Sequence, residues 1–155
     1  MQNIEIDTVD MRILAQLQRD TRISIASLAE LAGASTASIQ RRLKRLRNSG
    51  VITAEVAQLD AQALGFGITA VVSVELERDR LDQIDAFKRK ARAEPHVQHF
   101  YCVAGECDFF IIVVARDMAD YEAFTHRFFF ADRNVRKFRT SIAVACEKAT
   151  LALPI

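Results

Sequence analysis

The sequence predicts an α+β protein in two parts, three short helices followed by a βαββαβ alternation of strands and helices. Three observations predict it. Apolar residues recur at helical spacing from Ile6 to Val51, that spacing ends after Gly50, and from Ile68 onward strict alternations are separated by helical stripes. Of 155 residues, half are hydrophobic and 26% charged, so the chain can bury a core and does not read as disordered.

Asp7 caps the first helix with Asp10 three residues on, and Val9, Ile13, Leu14 and Leu17 supply its apolar stripe until near Asp20. Ser24 caps a short second helix whose inner face is Ile25, Leu28, Ala29 and Ala32. Gly33 ends it, because the tight turn there calls for a left-handed residue. Ser35 caps a third helix with Ile39, Leu43 and Leu46 inward, closed by Asn48-Ser49-Gly50. Three short helices with a glycine turn between the last two describe a helix-turn-helix, winged-helix-like in kind, over residues 1–52.

Residues 53–67 hold two of the five glycines and no helical stripe, which predicts a strand-like connector. Ala70, Val72, Val74 and Leu76 then alternate with polar residues as a half-buried strand, and Leu81, Ile84, Phe87 and Ala91 mark a helix that stops before Pro95. Val97 to Val103 and Asp108 to Ala115 are strands joined by the turn Gly105-Glu106-Cys107. Met118, Tyr121, Phe124, Thr125 and Phe128 mark a helix, and Phe138, Thr140, Ile142 and Val144 the last strand. The order over 68–155 is ferredoxin-like, with both helices on one face of an antiparallel sheet. The other face is open and carries the apolar Val71, so this part is expected to pair chains as a homodimer; scattered surface hydrophobes on a monomer are the competing expectation.

No apolar run approaches the roughly 18 residues that cross a bilayer, and the acidic start MQNIEIDTVD does not resemble a signal peptide, so a cytoplasmic protein is expected. Cys102, Cys107 and Cys146 make an odd count without framework spacing and are expected as thiols.

The net charge of +1 carries no weight for or against a nucleic-acid partner, but its distribution does. Residues 36 to 48 contain Arg41, Arg42, Lys44, Arg45 and Arg47 and no acid, whereas the first 60 residues hold eight basic and seven acidic side chains in all. Positive charge is thus concentrated on the third helix, as a phosphate-binding element requires. At 100° per residue, with Ile39, Leu43 and Leu46 inward, Gln40, Arg41 and Lys44 fall on the outer face, flanked by Arg42 and Arg45. Recognition helices enter the major groove by their first turn. Ser35, Thr36, Ser38, Gln40 and Arg41 are therefore the candidate base readers, while Lys44 and Arg45 suit phosphate. A solvated basic face on an ordinary helix is the alternative, and the two preceding helices weigh against it.

Catalytic and metal sites are not expected. Strand alternation sends His99 and Cys102 to opposite faces, so His96, His99, Cys102 and Cys107 do not converge. No nucleophile triad, phosphate-cradling glycine loop or paired-carboxylate motif stands in the sequence.

The run Leu17-Gln18-Arg19-Asp20-Thr21-Arg22-Ile23-Ser24, followed by Leu28-Ala29, Gly33, Ser35, Arg42-Leu43-Lys44-Arg45-Leu46 and Gly50-Val51-Ile52, resembles the N-terminal domain of Lrp/AsnC (feast/famine) regulators. Gly105-Glu106-Cys107-Asp108-Phe109, Asp117-Met118, Tyr121, Phe124, Thr140-Ser141 and Leu153-Pro154-Ile155 continue the likeness, which spans nearly the whole chain. The resemblance implies double-stranded DNA as partner, dimers that assemble further, and an amino acid or related metabolite bound between dimers near the Gly-x-x-Asp turn. By position, Gly105, Glu106 and Asp108 would line that pocket, with Tyr101, Met118, Ser141, Ile142 and Ala143 beside them. Turn amides suit an α-carboxylate and Asp108 an α-ammonium, although an aspartate at a turn also commonly serves nearby backbone donors. Thr36 stands where the family usually has Pro, Arg47 where an acid is common, and Cys107 where an aromatic is frequent. Cys107 makes the presumed pocket roomier; a redox-sensing thiol there is the alternative to a small apolar filler.

The expected function is sequence-specific transcription regulation through an inverted-repeat operator with half-sites about 34 to 36 Å apart, tuned by a small-molecule effector and needing no cofactor. The rivals are a metabolite-sensing protein-interaction module and a ligand-independent DNA organiser.

Overall fold

The computed structural model describes residues 4–78 and 80–155. It comprises two compact units: residues up to Gln58 together with Lys148–Ile155, and Leu59–Glu147.

The first unit is built on α1 (Thr8–Leu17), α2 (Ile25–Ala32) and α3 (Thr36–Asn48). Asp7 and Asp10 form a reciprocal capping box at α1, so two amides at its start are satisfied by side chains. The helix ends at Leu17 and not near Asp20; Asp20 instead takes the Arg22 amide at 2.8 Å, making a turn that competes with further helix. Ser24 and Ser35 cap α2 and α3 through the amides of Ser27 and Ser38. Gly33 sits at φ +70° between them, a conformation that costs any residue with a Cβ. Ile13, Leu28, Ala32, Ile39 and Leu46 form a sealed core.

Past α3 the Ile52 amide donates to the Leu46 carbonyl and Glu55 grips Arg47, and among the described residues this unit contains no strand. The expected strand-like character of 53–67 is not found. Asp60 collects the amides of Gln62 and Ala63 into a turn over 61–65, and Val56, Leu59 and Leu64 stay exposed because no strand lies beside them to complete a ladder.

The second unit holds β1 (Ile68–Leu76), α4 (Leu81–Ala93), β2 (Val97–Cys102), β3 (Phe109–Ala115), α5 (Met118–Thr125), a π-helical turn His126–Phe130, and β4 (Val135–Ile142). Its sheet is antiparallel in the order β2-β3-β1-β4, the ferredoxin-like order. Every second residue of β1 and β3 is buried: Ala70, Val72 and Val74 on one, Phe109, Ile111 and Val113 on the other. The helices cover that face with packed rings of Phe87, Phe124, Phe128 and Phe129. Tyr121 fixes α5 to β4 by a 2.6 Å bond to the Thr140 hydroxyl, and burial pushes its phenol up.

Four apolar positions expected inward are exposed, Met118 and Ile142 among them. Leu81 at the start of α4 is exposed, and β4 ends at Ile142, leaving Val144 outside the sheet and fully solvated. The other sheet face carries Val71, Phe110, Ile112, Val114, His99 and Tyr101 by register, with Val71, Phe110 and Tyr101 exposed, so the outward apolar residue of β1 has neighbours on two further strands.

Candidate nucleic-acid interface and effector turn

The five cations of α3 fall into two groups, and acid from elsewhere in the unit decides the grouping. Asp10 on α1 is fully buried. Its carboxylate takes Arg42 at 2.8 Å and also Arg45, while Asp7 takes Arg42 at 2.7 Å. Arg42 additionally reaches the Ser38 hydroxyl and is only 20% exposed. A carboxylate out of water needs paired cations and hydrogen bonds, so these two arginines pin α3 to α1. Hydrogen bonds from Asp10 and Asp7 raise the Arg42 pKa, and the Asp10 amide, then Arg42, hold Asp7 below the usual carboxylate range. Arg47 is held by both oxygens of Glu55 at 2.8 and 2.9 Å, which raises its pKa and lowers that of Glu55.

Arg41 and Lys44 form the second group. Both are exposed, and among the described residues neither has an acidic partner. Thr36, Ala37 and Gln40 lie exposed beside them, Ser35 is occupied as the cap, and Ser38 bonds Arg42. The expected readers Thr36, Gln40 and Arg41 thus share one solvent face with Lys44. Arg42, expected on its flank, points back to α1 and is a scaffold residue in this geometry. The signal for this in the sequence is Asp10, three residues past the cap of the first helix, whose part in the capping box masks its second role.

The eight residues expected around the effector do not converge within one chain. Gly105, Glu106 and Asp108 sit where β3 begins, beside the Leu76 end of β1, and Tyr101 is near them on the open sheet face, stacked on His99. Ser141, Ile142 and Ala143 sit at the other end, where the Ala143 amide donates to Thr69, and Met118 follows β3 at that same end. Thr69 and Leu76 lie near opposite ends of β1, about 23 Å apart at strand spacing. Asp108 Oδ2 accepts the Leu76 amide at 2.6 Å, its amide donates to the Val74 carbonyl, and its carbonyl accepts the Val103 amide. The backbone-serving role of this aspartate is therefore real, and one carboxylate oxygen is committed to it. Gly105 and Glu106 are exposed; Cys107 is half-buried, with its thiol 3.6 Å from the Phe109 carbonyl.

Histidine and cysteine do not assemble into a metal cluster among the described residues. His96 lies between Glu94 at 2.8 Å and Asp120 at 3.2 Å with Arg127 beside it. Burial works against the Glu94 charge, and bonds from Arg127 and His96 overcome it and lower its pKa. No helix among the described residues is long and apolar enough to cross a membrane.

A capped three-helix unit that exposes unpaired cations on its third helix, joined to a four-stranded ferredoxin-like unit, defines a helix-turn-helix DNA-binding protein. Residues 6–53 match the family described as winged helix-turn-helix DNA-binding, and residues 69–152 match the Lrp/AsnC ligand binding domain. The chain belongs to the Lrp/AsnC family of transcriptional regulators, which are not enzymes. It is 41% identical over 152 residues to an uncharacterized HTH-type transcriptional regulator of Sinorhizobium fredii, covering 98% of this chain and 90% of that protein. The crystal structure of an AsnC family regulator from Agrobacterium tumefaciens superposes with a TM-score of 0.89 at 32% identity, covering 96% of each chain. A transcriptional regulator from Neisseria meningitidis, solved as its L-Met complex, gives 0.88 at 26% identity over 97% of each.

Proposed function

We propose that this regulator reads an inverted-repeat operator through Thr36, Gln40 and Arg41, with Lys44 on phosphate, and that Arg42, Arg45 and Arg47 chiefly hold the recognition helix. The observation that carries it is the division of five cations on one helix into three held by carboxylates and two left to solvent. Arg41→Ala costs about 1 to 3 kcal/mol on the preferred duplex, whereas Lys44→Ala weakens all sequences alike and reduces the salt slope by about 0.9. Titrating a duplex selected from a random-sequence library at two salt concentrations checks both; unchanged affinity in both variants overturns the assignment.

The second unit pairs chains through its open sheet face, and its effector is an amino acid or a close relative. The apolar content of that face supports pairing. The L-Met complex of the Neisseria regulator supports the effector class. The split of the eight residues between the two ends of the sheet favours a pocket completed by another copy: Gly105, Glu106 and Asp108 from one chain, Ser141, Ile142 and Ala143 from a neighbour, with Tyr101 and Met118 beside them. Calorimetry with an amino-acid panel returns heat that Asp108→Ala diminishes; no heat from any member leaves a ligand-independent DNA organiser as the account. No cofactor enters this scheme.

A further inference from the structure

The segment Lys148–Ile155 belongs with the three helices, although the strand before it, β4, belongs to the other unit. One residue on each side makes the seat. Gln18, at the C-terminal cap of α1, accepts the Leu153 amide on Oε1 at 2.5 Å and donates from Nε2 to the Leu153 carbonyl at 3.2 Å. A primary amide paired with both polar groups of one residue reproduces a β-bridge, so Gln18 recognises extended backbone and no particular side chain. The segment is locally shaped for it. Pro154 fixes its own φ, the Ile155 amide returns to the Leu153 carbonyl at 2.9 Å, and the Ala152 amide meets the Thr150 hydroxyl at 3.0 Å.

Leu151, Leu153 and Ile155 are 83%, 67% and 47% exposed, so beside partial cover of Leu153 and Ile155 the seat rests on two solvent-exposed hydrogen bonds of modest net strength. A contact this weak opens and closes readily. Its position gives the opening a consequence: Gln18 caps the helix whose Asp10 clamps Arg42 and Arg45 of α3.

We propose that Lys148–Ile155 is a releasable strap, seated on Gln18, that shortens the tether between the DNA-binding unit and the unit that pairs chains. Two linked recognition helices bind paired half-sites with an effective concentration set by their tethers, and of the two places where the chain passes from unit to unit, freeing the strap leaves the one at Gln58–Leu59 as the short tether. This rests on the operator reading above. The strap also offers a route from the effector unit, because it follows the Ser141-Ile142-Ala143 end of β4 along the chain.

Gln18→Ala in the full chain tests it, since Gln18 is exposed and outside both cores. Exchange of the Leu153 amide quickens about tenfold, affinity for a selected duplex with paired half-sites falls about tenfold, and affinity for the same duplex with one half scrambled stays constant. Unaltered Leu153 exchange overturns the seat. Faster exchange with paired-site affinity unchanged overturns the coupling. Wild-type protein that binds no duplex overturns the operator reading and the coupling with it, while the exchange measurement still reads the seat by itself.

Discussion

Asp10 shows how one residue can hold a binding surface without touching the ligand. It completes a capping box, lies fully buried, and accepts two guanidinium groups from α3. Removing one partner of a fully buried pair costs about 3 to 5 kcal/mol, but here Asp7 still faces Arg42 and Arg45 is 44% exposed, so the loss is about 1 to 3 kcal/mol. Asp10→Asn is accordingly expected to destabilise the protein by that order in urea unfolding and to loosen α3. Arg41→Ala, which breaks no ion pair, should leave the unfolding midpoint nearly where it was. The two variants thus separate stability from recognition. Equal loss of stability in both would show that Arg41 too belongs to the scaffold. In the sequence Arg41 and Arg42 differ only as outer face and flank of one helix, both turned toward DNA, and it is the acid facing Arg42 that makes it a scaffold residue.

At the scale of elements, the sheet explains why an apolar row stays outside. Strand alternation places Val72 and Ile111 under the helices and, with equal necessity, Val71, Phe110 and Ile112 on the opposite face. Both helices lie on the first side, so among the described residues of the second unit no helix covers the second. If chains pair there, a charge at the centre is costly. Phe110→Asp, at a residue 41% exposed, is predicted to convert the assembly to monomers in sedimentation experiments while retaining the secondary structure seen by circular dichroism. An unchanged mass would assign pairing to another surface. The strand pattern was legible residue by residue from Ala70 to Leu76, whereas Phe109 to Ala115, apolar throughout, was legible as a strand but not as to its faces. Residues 53–67 were not legible, because a strand needs a partner as well as a composition, and none is present among the described residues.

For the whole molecule, acid is the condition that tests its ion pairs together. Asp7, Glu55, Glu75, Glu94 and Asp120 all have lowered pKa values, through different causes. The Asp10 amide acts first on Asp7, Arg47 on Glu55, Arg136 on Glu75 and the Arg116 amide on Asp120. A carboxyl whose folded pKa lies below its unfolded one binds fewer protons when folded, so it stabilises the fold above the unfolded value and loses that contribution as pH falls through the folded one. Stability should therefore be level near neutrality and decline below about pH 4, the ordinary carboxylate range. Both units contain such groups, Asp7 and Glu55 in the first and Glu75, Glu94 and Asp120 in the second. Denaturant midpoints measured from about pH 7 to about pH 3 check this, and a midpoint indifferent to acid would mean the pairs form equally in the unfolded chain.

Composition and periodicity alone determined the three capped helices, the glycine turn, the βαββαβ order and the helix on which positive charge collects, because caps, turns and amphipathic stripes are written in residues a few positions apart. Which cations remain available to DNA, how far the Asp108 turn lies from Ser141, and where Leu153 rests were settled only by the folded chain. Those depend on pairs such as Asp10 with Arg42, or Gln18 with Leu153, whose separation along the chain has no local signature, and whose meeting follows from the packing of whole helices and strands.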